Sequence, residues 1–296
     1  MKKASYNLSK TNFLTGWSMV IVSGVLVIAF SYLPMIQAFF LSLQSGKGNN
    51  LSFNGVGNYI NLLKDTAFHE TVFNTILFTV CQLPIMILLS LVIAVLLNDE
   101  KLKFRGIFRT CIFLPCVTSL VSYSVLFKNI FAADGLLNQV LLNLNIIDKS
   151  IPWLMDSFWS KVVVVIALIW RWTGYYMIFY LAALQNTDKA VYEAAQLDGC
   201  SFWQTLFRIT LPILKPIIFL TSILATNSTL QLFDEVVNLT NGGPGNATRT
   251  ISQYIYDVSF NYVPNYGYAA AISYVVFIIV GLLTIFQKRI TGDKNE

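Results

Sequence analysis

At 296 residues the chain has the length of one large soluble domain or two small ones, yet only 12% of its residues are charged and 55% are hydrophobic. A globular protein carries about a quarter charged residues, so this composition, with a mean hydropathy of +0.62, excludes a soluble surface and a disordered chain. The net charge of +5 is dispersed, as in a membrane protein that carries Lys and Arg for topological reasons; it argues against nucleic acid as a partner.

A helix needs about 20 apolar residues to cross the hydrocarbon. Six stretches qualify, at 17–41, 71–97, 107–127, 161–184, 217–237 and 268–286. Pro34, Pro84 and Pro115 fall inside three of them, which spans tolerate when neighbouring helices satisfy the freed carbonyls. The first follows Lys2, Lys3 and Lys10, but it is too long for a signal-peptide core and no small-residue cleavage site follows, so an uncleaved anchor is expected. This gives a tail at 1–16, a membrane domain at 17–286 and a tail at 287–296, with both tails on one side.

That side holds Lys2, Lys3, Lys10, Lys101, Lys103, Arg105, Arg109, Lys189, Arg208, Lys215, Lys288, Arg289 and Lys294. The other holds only Lys47, Lys64, Lys128, Lys149, Lys161 and Arg249. Positive-inside logic therefore puts the termini in the cytoplasm of a bacterial-type plasma membrane. Arg171 lies within the fourth span; pairing with an acidic group, snorkelling and contact with a solute are all open to it, and structural pairing is favoured.

The inner loop 185–216 reads as two short helices. Thr187 or Asp188 can cap the first, and Gly199 can stop it in the left-handed conformation. Ser201 and Gln204 make a capping box for the second, which Pro212 and Pro216 are expected to end. In the fifth span, Asn227, Gln231 and Asp234 recur at i, i+4 and i+7, on one helical face. Amides on such a face can hydrogen-bond a solute's hydroxyls without demanding a charged solute, and Trp172, Tyr175 and Tyr176 offer ring faces for stacking; interhelical hydrogen bonding is the competing use. The outer turn at Gly242, Gly243 and Pro244 follows a span and faces outward, so it is no phosphate loop.

Chemistry is conspicuous by its lack of parts. Cys81, Cys111, Cys116 and Cys200 make no C-x-x-C pair, and His69 is the single histidine, so neither a metal site nor a catalytic triad is expected. Ser45-Gly46-Lys47 lacks the upstream glycine of a nucleotide-binding loop. No cofactor is expected, and an uphill pump would borrow its energy from another subunit.

The loop resembles the EAA loop of binding-protein-dependent ABC importer permeases: Glu193-Ala194-Ala195, then Gly199, then Ile209, Leu211 and Pro212, with every spacing kept. The segment from Trp170 to Gln185, the outer stretch from Leu239 to Thr248 and Tyr266-Gly267-Tyr268 resemble the carbohydrate branch, in the first permease subunit of its operons. The resemblance implies an all-α polytopic protein with six transmembrane helices in the type I importer (MetI-like) fold. It implies that Glu193 to Gly199, with Asp198, Ile209, Leu211 and Pro212, couple to an ATPase, and that Gly242 to Pro244 face a binding protein. It also implies the partners: a second related permease, two ABC ATPase subunits, an extracellular solute-binding protein and a sugar, all within membrane lipid. The rival reading is a stand-alone ion- or proton-coupled carrier, which calls for inverted repeats and paired titratable groups near the midplane.

Overall fold

The computed structural model describes residues 10–48, 50–99 and 101–291. Lys2, Lys3 and Lys294, on which part of the orientation rests, lie outside the described residues. The chain divides into two compact units, 1–64 with 257–275, and 65–256 with 276–296.

In the first unit, helix α1 (Lys10–Val27), a π-helical turn (Ile28–Tyr32) and α2 (Leu33–Ser42) run on as one rod. Pro34 sits at the start of α2, directly after the wider π turn, where a missing N–H is tolerated. Two short antiparallel strands follow, β1 (Gln44–Lys47) and β2 (Asn50–Phe53), with Gln44 opposite Phe53. This hairpin is an addition to the all-helical expectation. Helix α3 (Gly57–Leu62) is tied back by Asn58, whose amide donates to the carbonyls of Ser42 and Gln44 at 2.8 and 2.7 Å. A Cβ on Gly267, at the start of the last helix (Tyr266–Thr291), would lie 1.9 Å from the Gln44 carbonyl oxygen, so only glycine lets that helix end approach the hairpin.

The second unit is built on α4 (Thr66–Asn98) and α8 (Ser157–Gln185), each N-capped by an aspartate, Asp65 and Asp156. Between them lie α5 (Arg105–Val117), α6 (Leu120–Ile130) and α7 (Leu136–Asn143). After them come α9 (Lys189–Leu197), α10 (Phe202–Thr205), a π turn (Leu206–Thr210), α11 (Leu211–Leu230), α12 (Asp234–Leu239) and α13 (Ile251–Tyr256). The last helix, α14 (Tyr266–Thr291), runs from the first unit into the second. Phe78, Tyr123, Phe127 and Val163 centre one buried cluster; Met86, Tyr176, Tyr180 and Leu214 centre the other.

Among the described residues five helices are long and apolar enough to cross a bilayer, and the pair α5–α6 makes a sixth crossing only as a broken one, bent by 98°. The third expected span, 107–127, is therefore not a continuous rod. The Pro115 carbonyl, which would accept from the Ser119 N–H in an unbroken helix, instead accepts from the Thr118 hydroxyl at 2.7 Å, and Thr118 turns extended. The fifth expected span, 217–237, is displaced. The helix begins at Phe202 and stops at Leu230, and Pro212 and Pro216 do not end it, because the π turn at Leu206–Thr210 widens the ladder just before the first ring.

Close backbone approach fixes α8 against α5. A Cβ on Gly174 would stand 2.0 Å from the Ile112 carbonyl oxygen. Backbone cannot yield as a side chain can, so Gly174→Ala is expected to cost roughly 3 kcal/mol, the upper part of the overpacking range. A lowered midpoint for heat-induced aggregation in detergent checks this.

Candidate functional site

The end of α11 shapes the site. The helix stops with Gln231 as its C-cap, Gln231 to Phe233 leave helical geometry, and α12 restarts at Asp234. The break is held rather than loose: the Leu232 carbonyl accepts from Thr250 Oγ1 at 2.6 Å, and the Leu232 N–H donates to Thr229 at 3.2 Å. Irregular backbone at membrane depth is stable only where it is buried in protein or lines a water-filled space. Here it lines a cavity. A cavity of about 270 Å3 lies against the break, walled by Gln82 and Met86 of α4, Leu168, Trp172 and Tyr176 of α8, Ala225, Ser228 and Thr229 of α11, and Gln231 to Glu235.

Because the helix breaks at Gln231, Asn227, Gln231 and Asp234 do not share the continuous face that their spacing predicts. Gln231 and Asp234 do reach the cavity, with Trp172; Asn227 is outside its wall and accepts from the Gln231 amide at 2.8 Å. Tyr175 is also outside, 36% exposed, its ring edge-on to Trp172, Tyr176 and Phe179. Gln82 is a polar wall residue that the sequence reading misses. Its signal is an amide in the middle of an apolar stretch, and polar groups there face protein or a cavity.

Behind the wall, Arg171 meets Glu235 with Nε 3.9 Å from Oε1, the two side chains 10% and 12% exposed. Trp172 Nε1 donates to the same carboxylate oxygen at 3.2 Å. Arg171 Nη1 also donates to the carbonyls of Pro115 and Thr118 at 3.5 and 3.4 Å. These are the carbonyls at the broken end of α5, where a cation is favoured by the helix dipole as well. The guanidinium stands 5.1 Å from the centre of the Tyr123 ring. One residue thus joins the break of the third crossing to the break that lines the cavity.

The inner loop has the expected local geometry. Asp188 caps α9 by accepting from the Ala190 N–H at 3.0 Å. Gly199 has φ +71°, with Gly199 N–H donating to Gln196 and Cys200 N–H to Ala195, the paired bonds of a Schellman stop. Ser201 and Gln204 close a reciprocal capping box. Glu193, Ala194, Asp198, Gly199 and Pro212 are exposed, Ile209 and Leu211 are half-buried, and Ala195 is buried. Leu197, a large apolar side chain, is 89% exposed.

Residues 66–292 match the family of binding-protein-dependent transport system inner membrane components. The chain belongs to that family. This permease is 49% identical, over 276 residues and 93% of each chain, to the lactose transport system permease LacF of Rhizobium radiobacter. It is 32% identical to the arabinooligosaccharides transport permease AraP of Halalkalibacterium halodurans, over 90% of this chain and 84% of that one. Its fold matches a bacterial alginate ABC transporter, solved with an alginate pentasaccharide-bound periplasmic protein, with a TM-score of 0.81, 25% identity and 96% of each chain covered. The permease is therefore a multi-pass membrane transport component rather than an enzyme.

The outer turn of the permease is a braced structure. Thr240 and Thr248 join hydroxyl to hydroxyl at 2.7 Å, and Thr248 donates to the Gly243 carbonyl at 2.8 Å. Asn74 of α4 holds its far side by donating to Asn246 and Arg249, each at 3.1 Å. Gly242 is buried, Gly243 and Pro244 are half-buried, and Asn241, Gly245 and Asn246 form the exposed tip.

Proposed function

We propose that this permease forms half of the translocation pathway of an ATP-driven importer for a small oligosaccharide, with lactose the first candidate. The other half is a second, related permease. One of two ATPase subunits docks on this inner loop and the other on the related permease, and an extracellular binding protein delivers the sugar near the Gly242–Pro244 turn. The termini lie in the cytoplasm, in line with the charge asymmetry of the loops.

The observation that carries the reading is the rigid, exposed helix–glycine–helix between α9 and α10. A lone loop has no reason to leave Leu197 exposed on the helix that also exposes Glu193, with Asp198 next in sequence. An exposed apolar side chain on the same short helix as an exposed carboxylate, an element stiffened by caps at both ends, is a surface for a partner protein. The cavity supports the sugar: amides and hydroxyls for its hydroxyls, and the Trp172 and Tyr176 rings for its apolar faces. The identity with a lactose permease along nearly the whole chain supports the choice of disaccharide.

Reconstitution tests it. Vesicles holding both permeases and the ATPase, supplied with binding protein, should accumulate labelled lactose only when ATP is present. This chain alone should accumulate none. Concentrative uptake by the single chain, driven by an ion gradient, would overturn the reading in favour of a self-sufficient carrier.

A further inference from the structure

We infer that Asp234, backed by Glu235, makes the cavity a charge filter that admits neutral sugars and rejects anionic ones. The inference rests on the sugar-import reading and adds a residue that sets its specificity.

The wall holds two carboxylates, Asp234 and Glu235, and no Lys or Arg. Their surroundings differ. The Glu235 carboxylate is engaged from behind by the Arg171 guanidinium and the Trp172 N–H, so its charge is compensated. Asp234 is exposed, and its carboxylate has no ion-pair partner among the described residues. The residual charge of the cavity is therefore one negative, carried by Asp234. It stands against apolar walls at Met86, Leu168 and Ala225 that do not screen it.

The chemistry follows from what each group can exchange. An ionised carboxylate only accepts hydrogen bonds, and a sugar hydroxyl supplies the donor it needs. The amides of Gln82 and Gln231 and the Ser228 hydroxyl can both give and take, so they suit the remaining hydroxyls. A solute carboxylate, sulfonate or phosphate offers no donor and is repelled. A wall built this way discriminates by opposing the wrong solute as well as by binding the right one.

Lactitol and lactobionate make the test pair, because both carry the same galactosyl group on an open chain and differ by a terminal hydroxymethyl or carboxylate. Each is titrated against lactose bound to the assembled importer in neutral-lipid nanodiscs, without binding protein, by saturation-transfer NMR. Wild-type protein should need at least about tenfold more lactobionate than lactitol at low salt, and the gap should narrow as salt screens the charge. Asp234→Asn should bring the ratio to within roughly twofold, and Asp234→Lys should reverse it. Equal displacement by the two in wild type, or a ratio unmoved by both substitutions, would overturn the charge filter while leaving sugar import intact. Failure of lactose itself to bind would instead overturn the import reading, and this inference with it.

Discussion

Arg171→Met is expected to remove about 3–5 kcal/mol of stability, the usual result of breaking a buried ion pair from one side. The substitution leaves the Glu235 carboxylate with only the Trp172 N–H, and it strips a donor from the carbonyls of Pro115 and Thr118. Glu235→Leu should cost less, because the guanidinium keeps its carbonyl partners and the Tyr123 face. In many proteins, replacing both members of such a pair by apolar residues restores stability. Here the Arg171→Met, Glu235→Leu double variant should recover only part, since the open end of α5 stays uncapped. Arg171→Lys should rescue poorly, because a point ammonium cannot serve the carboxylate and two carbonyls at once. Thermal midpoints of the purified complex, arranged as a double-mutant cycle, measure the coupling. A midpoint for Arg171→Met equal to that of wild type would show that the pair has no part in joining the two breaks.

The same residue shows what was legible beforehand. An arginine in an apolar run announces a partner, but sequence could not choose Glu235, because that glutamate lay on the far side of a helix break that periodicity does not register. Hydropathy averages over a window; it finds the third and fifth crossings and misses that one is bent by 98° and the other ends at Leu230. At the bend the Pro115 carbonyl accepts from the nearby Thr118 hydroxyl and from Arg171, and the second contact joins residues more than fifty positions apart. Caps are another matter. Asp188, Gly199, Ser201 and Gln204 act within a few residues of one another, so their geometry could be read in advance and appears in the structure. The i, i+4, i+7 reading assumes a continuous helix through Asp234; the helix stops at Leu230, and Asn227 does not line the cavity that Gln231 and Asp234 reach.

Gly199→Val is expected to abolish ATP-driven uptake while leaving the permease folded and inserted. With φ at +71°, the position forces any residue with a Cβ into the left-handed region, which costs about 1–2 kcal/mol, and more for a β-branched one. Nothing lies within 4 Å of where that Cβ would stand, so no internal clash adds to the cost. The strain is local, and the cheapest relief is to unwind the Schellman stop and change the angle at which α9 meets α10. That angle is what a docked ATPase would read, so sugar transport should fail before assembly does. Gly199→Asn separates two causes, because asparagine enters the left-handed region readily. If the turn matters only for its backbone, asparagine should keep much of the uptake; if a partner's surface presses on the glycine itself, asparagine should fail as valine does. Uptake and ATP hydrolysis are measured together in the same vesicles. Full uptake by the assembled Gly199→Val permease would mean that force reaches the crossings by some route other than this turn.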